Sequence, residues 1–339
     1  MRKQYKNIPI FIPGLACPFQ CIFCDQNYIT GNYKMPGQHD IHSTIAAYLS
    51  TTPNNESKQR IQIAFFGGNF TGLSEDHQNF YLDIVNPYLQ KEHIESIRIS
   101  TRPDYVNAQI LDNLKRKGVR AIELGAQSLN DKVLEISGRG HTADDIIRAA
   151  RLIKQMGFEL GLQMMTGLPG DNDDLAFETA ERIIELGAET TRIYPTIVIE
   201  GTQLASLYRK QVYFPQSLDD SVLLSARLVD LFLNETISVL RIGLLLSENQ
   251  NENQQVILAG PYHPAYGELV FSRIWFEKLS NSLVFNRSNH LVIYTHSSDT
   301  NAAIGHKASN KKFLQQHFSY VHFKQDNNLP RYSFYVNYY

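Results

Sequence analysis

Along the chain, short runs rich in β-branched and aromatic residues alternate with longer stretches whose apolar positions recur every three or four residues. Six runs of the first kind stand out: IPIFIP (8–13), IQIAFF (61–66), SIRIST (96–101), RAIELGA (120–126), ELGLQMM (159–165) and TTRIYPT (190–196). Strands separated by helices are the rhythm of βαβ units around a parallel sheet. Between the fourth and fifth runs the spacing predicts a helix over 144–157, with Ile147, Ala150 and Ile153 or Lys154 on one face. Thr142, followed three residues later by Asp145, reads as a capping box at its start, and Gly157 stands where a C-terminal cap belongs. A further helix runs from about Asp173 to Leu186 and is closed by Gly187 in the same manner.

Beyond residue 205 the rhythm loosens. A helical stretch at 218–235 precedes RIGLLL (241–246), the polar run SENQNENQQ (247–255) reads as a solvated loop, and LVIYTH (291–296) leads toward an aromatic tail ending in YSFYVNYY. The expected organisation is an α/β barrel domain over 1–205 and a smaller accessory α/β region over 206–339.

Composition narrows the class. With 339 residues, 43% of them hydrophobic, the chain can bury a substantial core, and a net charge of −2 gives no global electrostatic case for nucleic acid or an anionic membrane. No stretch approaches the length of a membrane span, and the N-terminal apolar run is broken too early by Pro9, Pro13 and Gly14 for a signal peptide. The clustered cysteines, without scattered partners, place the protein in a reducing compartment, the cytoplasm.

All three cysteines, Cys17, Cys21 and Cys24, lie in CPFQCIFC, directly after the first expected strand. That puts three thiols on one loop at the C-terminal mouth of a parallel sheet, where α/β folds build their sites. Three thiolates can hold three corners of a 4Fe-4S cluster and leave the fourth iron open. A zinc site would need a fourth ligand from His39, His42 or Asp25, and three unligated core cysteines would need none. Phe23 could shield a cluster or simply fill a core. A second signal, FFGGNFTGL (65–73), ends the second strand: Gly67 and Gly68 allow close backbone approach to a ligand, and Asn69 and Thr71 add polar tips.

With both pieces in order, the sequence resembles the radical S-adenosylmethionine (radical SAM) superfamily. It is similar to the branch containing the Elongator catalytic subunit and the oxygen-independent coproporphyrinogen III oxidases. The resemblance rests on GGNFTGL, ISTRPDYV (99–106), ELGAQSLNDKVLEISGRGHT (123–142), MMTGLPGD (164–171) and RIYPTIVIEGTQLASLY (192–208), with GPYHPAYGELV (260–270) resembling the C-terminal extension. It implies a partial (βα)6 TIM-like barrel with a smaller C-terminal α/β extension. Cys17, Cys21 and Cys24 would ligate the cluster, whose unique iron chelates SAM. Gly67, Gly68 and Asn69 would hold the methionine amino group. Ser100, Arg102, Gln127 and Arg139 are the further expected SAM contacts, together with Gln163 and its neighbours Met165, Gly167 and Pro169. One of Met164 and Met165 must point outward into the helices, because strand side chains alternate.

Two departures qualify the resemblance. Ser100 and Gln163 stand where porphyrinogen-oxidising relatives carry carboxylates, and no acetyltransferase domain of the Elongator kind is expected; of a basic arm there is only Arg2, Lys3 and Lys6. The implied activity is reductive cleavage of SAM to a 5′-deoxyadenosyl radical for hydrogen abstraction, served by a one-electron donor such as flavodoxin or ferredoxin. The substrate is either a tRNA or RNA nucleoside or a small metabolite, with Arg192, Tyr194, His263 and Glu268 as candidate pocket residues. A zinc-stabilised binding protein without enzymatic activity is the remaining alternative.

Overall fold

The computed structural model describes residues 5–12, 17, 21–25, 34–51, 60–89, 94–244, 256–285 and 288–339. The polar run at 247–255 and the basic Arg2 and Lys3 lie outside the described residues.

Seven parallel strands form one sheet that curls into an open half-barrel, and all six expected strands are in it. They are β1 (Tyr5–Phe11), β2 (Arg60–Phe66), β3 (Ile94–Thr101), β4 (Val119–Gln127), β5 (Glu159–Thr166) and β6 (Thr190–Pro195). After a short β7 (Val198–Ile199) comes the seventh strand, β8 (Ser238–Ile242), which extends the barrel beyond six. It pairs with β6 and comes from beyond residue 205, where the sequence rhythm had loosened. The strand begins three residues ahead of RIGLLL and takes in only its Arg241 and Ile242, and Gly243, at φ +79°, ends it.

Helices cover one face of this sheet: α1 (Gln38–Ser50), α2 (Glu75–Leu89), α3 (Ala108–Arg116), a short α4 (Asp131–Ile136), α5 (Ala143–Gln155) and α6 (Asp173–Glu185). Ile63, Ile97, Ile99, Ile122, Leu160, Leu162 and Met164 are fully buried with the helices in one core cluster. Met164 is thus the member of its pair that points outward, as alternation required. The capping box of α5 is present: Asp145 N–H donates to Thr142 Oγ1 at 3.3 Å, and Thr142 N–H donates to Asp145 Oδ2 at 2.8 Å. Its buried face runs through Ile146, Ala149, Ala150 and Ile153. Ile147 is only half-buried, so the face is turned by one residue from the spacing expected.

After α7 (Gln203–Arg209), α8 (Leu218–Asn234) leads into β8. A three-residue strand, β9 (Ile257–Ala259), pairs antiparallel with β7, and α9 (Tyr266–Ser282) packs on α8. Tyr266 Oη sits between Ser221 Oγ and Ser225 Oγ at 2.7 and 3.0 Å, and a Cβ on Gly243 would fall 2.8 Å from the Tyr266 ring. Past α9, β10 (His290–Thr295) pairs with β11 (Tyr320–Gln325) and β12 (Phe334–Tyr338) in a separate sheet, with α10 (Thr300–Ile304) and α11 (Ser309–Leu314) between β10 and β11. Trp275, Leu291, Ile293 and Phe318 form its own core.

Candidate active site

The loop after β1 carries Cys21 buried, and Cys17 and Cys24 half-buried. Backbone bonds pin it from both sides: Ile22 N–H donates to Ser137 O at the end of α4, and Leu204 N–H at the start of α7 donates to Ile22 O at 2.7 Å. Cys24 N–H folds back onto Cys21 O at 3.0 Å. Cys21, Ile22 and Phe23 pack with Val133, Leu168, Val198 and Leu204, and the half-buried Cys24 and Met165 lie against the same cluster.

Arg139 holds this loop to the sheet. Its Nη1 donates to Cys21 Sγ at 3.2 Å, its Nη2 to Gly125 O at 2.6 Å, and its Nε to His141 Nε2 at 3.2 Å. The flanking Gly138 and Gly140, at φ +66° and +72°, let the chain wrap this buried guanidinium. Burial, then the charges of Arg139 and Arg102, push the His141 imidazole down to about 4. It is therefore neutral near pH 7 and accepts from Arg139.

Arg102 sits in the same cluster. It forms a two-pronged pair with Asp104, both bonds 2.9 Å, and donates to Arg139 O at 2.6 Å. Its backbone N–H and the Thr101 hydroxyl both donate to Asn69 Oδ1, at 3.2 and 2.6 Å. The side-chain carbonyl of Asn69 thereby ties the glycine turn to the end of β3, while Gly67, at φ +103°, and Gly68 stay partly open. Burial holds the Cys17 thiol above its ordinary value, with Arg102 and Arg139 offsetting only part of the raise. The two arginines are the opposing influence, the one that would stabilise a thiolate there.

At the ends of β4 and β5, Gln163 Nε2 donates to Gln127 Oε1 at 3.2 Å. Gln127 has φ +67° at a ladder irregularity, and a Cβ on Gly125 would stand 3.1 Å from its amide and 3.4 Å from Arg139 Nη2. Ser100 is half-buried and level with Glu123. In the turn after β5, Gly167 N–H donates to Asp171 Oδ2 at 2.9 Å, and Tyr213 Oη donates to Gly167 O at 2.7 Å. Burial lifts the Asp171 carboxyl to about 6, against backbone donors led by Gly167.

The four candidate pocket residues are not all brought together. Arg192 lies on the inner face of the half-barrel, paired through two bonds (2.6 and 3.1 Å) to the buried Glu123, stacked over Phe66 at 4.8 Å, and near the half-buried Tyr194. His263 is apart, in a turn where its Nδ1 accepts from Ala265 N–H at 3.0 Å, beside a small cavity lined by Pro195, Gly243 and Tyr262. Glu268 is exposed in the first turn of α9, 3.2 Å from His306 Nδ1. Of the side chains a zinc site would have recruited, His42 has both ring nitrogens engaged, with Tyr88 and Gln38. Among the described residues, no three His, Cys, Asp or Glu side chains are gathered to hold a single metal ion.

Sequence reasoning passed over His141, Asp104 and Glu123. His141 could have been flagged by its place after the two glycines of GRGH, which bend the chain back toward the mouth.

Residues 11–183 match the radical SAM superfamily. The chain belongs to that superfamily. Residues 188–275 match the Radical_SAM C-terminal domain, so this is a radical SAM enzyme with the extension that its sequence suggested. Among its relatives are a tRNA uridine(34) acetyltransferase of Methanocaldococcus jannaschii, 28% identical over 48% of this chain and 34% of that protein. Elongator complex protein 3 of Bos taurus is 26% identical over 66% of this chain and 46% of that protein. The chain therefore spans about a third to a half of these relatives' length. The solved structure of archaeal Elp3 from Methanocaldococcus infernus, with an N-terminal deletion, shares the fold: TM-score 0.62 at 19% identity, over 82% of this chain and 64% of that one. Among the described residues, no helix is long and apolar enough to cross a membrane.

Proposed function

We propose that this radical SAM enzyme holds a 4Fe-4S cluster on Cys17, Cys21 and Cys24, cleaves SAM reductively, and modifies a nucleoside of tRNA or another RNA. The observation that carries the reading is the coupling of the cysteine loop to the strand mouths through Arg139, with the open glycine turn on the same bonded assembly. The residues fit the cluster by donor chemistry: three sulfurs on one loop, one of them already accepting from the Arg139 guanidinium. When bound, the cluster supplies one electron from a flavodoxin- or ferredoxin-type donor, which splits SAM into methionine and a 5′-deoxyadenosyl radical that takes hydrogen from the substrate.

The chain's own residues do the rest. Gly67 and Gly68 offer bare backbone to the methionine amino group, and Gln127 and Gln163 present amides at the strand ends. Arg139 fixes the Cys21 sulfur and stays close to the expected position of SAM. His141, being neutral, accepts from Arg139 and adds no second positive charge beside it. Ser100 and Arg102 stand at the same rim, the latter holding Asp104 and Arg139 in place rather than reaching freely into the mouth.

The RNA substrate class is supported by the tRNA-directed name of one relative and the Elongator identity of another. A small metabolite is the second reading, favoured by a net charge of only −2. After anaerobic loading with iron and sulfide, the protein is expected to show a visible absorbance bleached by dithionite and to form 5′-deoxyadenosine from SAM. Cys24→Ala is expected to abolish that product, and full retention would sink the cluster assignment. Bulk tRNA binding with a steep salt dependence supports the RNA reading, and no binding supports a metabolite.

A further inference from the structure

The inner face of the half-barrel carries a charge imbalance with a definite location. Arg98 bonds Glu123 and Glu159 at 3.1 and 2.5 Å, and Arg192 takes the other side of Glu123. A third guanidinium, Arg241 on β8, is in register with Arg192, so the two side chains leave the sheet on the same face. Among the described residues, no carboxylate lies within ion-pair reach of Arg241. Burial, opposed by Tyr194 and reinforced by the like charge of Arg192, lowers its guanidinium pKa. Three guanidiniums thus face two carboxylates, and the excess sits at the open edge of the barrel beside Tyr194.

Holding a half-buried cation next to another costs free energy that a bound anion would return. Gly125, Gln163, Arg192 and Arg241 are register partners across β4, β5, β6 and β8. The row starts at Gly125, whose carbonyl Arg139 holds, and ends at Arg241. Three interstrand spacings span about 14 Å. We infer that Arg241, with Arg192 and Tyr194, forms a subsite for a phosphate group of the substrate, placed on that row away from the cysteine loop. The inference rests on the proposed radical SAM reading only in calling the occupant a substrate; the oxyanion subsite itself does not depend on a cluster.

The test uses the full chain without a cluster and inorganic phosphate as probe, at ionic strength matched with chloride. Wild type is expected to show a saturable rise in Tm with phosphate. Arg241→Gln should lose it, Arg241→Lys should keep part of it, and exposed Arg116→Gln should keep all of it. Without phosphate, Arg241→Gln should melt no lower than wild type, since it removes a repulsion. An equal phosphate response in Arg241→Gln, or a lower Tm of that variant in chloride alone, would overturn the subsite in favour of a structural role. Bulk tRNA identifies the source: weaker binding and a shallower salt slope in Arg241→Gln assign the phosphate to an RNA backbone, and unchanged tRNA binding alongside the lost phosphate response assigns it to a small phosphorylated metabolite. A protein that binds phosphate through Arg241 but never cleaves SAM after loading would keep this subsite and refute the proposed activity.

Discussion

On its outer face the half-barrel sheet presents Ile63, Ile97, Ile122, Leu160 and Leu162 to the helices; on its inner face, at alternating positions of the same strands, it presents Gln62, Arg98, Glu123 and Glu159. The outer side chains are fully buried among apolar partners, each contributing about 1.5–3 kcal/mol by leaving water. The inner ones trade hydration for one another, an exchange that often comes out near zero. One face therefore holds the fold, and the other spends little net stability on fixing what the interior can accept. The rim where the two meet, at the C-terminal strand ends, carries Arg139, Asn69 and the cysteine loop.

Breaking one inner partner is expected to have the largest effect on stability. Glu123→Gln leaves Arg98 and Arg192 without their shared charge and should cost about 3–5 kcal/mol in urea unfolding. A loss under about 1 kcal/mol would mean that water already reaches this layer and that the contrast between the faces is overstated. On the outer face, Ile122→Ala should cost about 2–5 kcal/mol with no change in phosphate response or in cysteine reactivity.

Titration sharpens the contrast at the rim. The folded pKa of His141, about 4, lies below its ordinary value of 6.5, so the unfolded chain binds more protons between them. Its contribution to stability is thus present above about pH 6.5 and lost as pH falls toward 4. His141→Gln should flatten that part of the stability–pH curve, and an unchanged slope would show that the imidazole is not held neutral. Asp171 should give a smaller effect of opposite sign, because backbone donors offset much of its burial. With its folded pKa raised to about 6, the native state holds the extra proton, and stability falls as pH rises from about 4 to 6. Asp171→Asn should remove that decline, measured by the same denaturation series.

The apolar half of this comparison was legible in the sequence. The six strands, the capping box at Thr142 and the position of the three cysteines all follow from local pattern, because each depends on neighbours a few residues away. The charged half was not. Arg98 and Glu123 are separated by 25 positions along the chain, and in an alternating strand their sites look like ordinary solvent-facing ones. Only the curling of the sheet turns that face inward. For the same reason the pairing of Arg192 with Glu123, 69 positions apart, does not show in the local pattern. The strand β8 escaped because its own residues are half-exposed and the stronger apolar run, RIGLLL, begins three residues late.

Gly161 lies between these charges. A Cβ there would sit 2.9 Å from both Glu123 Cγ and Thr190 Oγ1, so the strand has no room for a side chain while Glu123 and Thr190 flank it. Shortening position 123 alone would still leave Thr190 Oγ1 2.9 Å from that Cβ, so a side chain at 161 requires both neighbouring strands to give way.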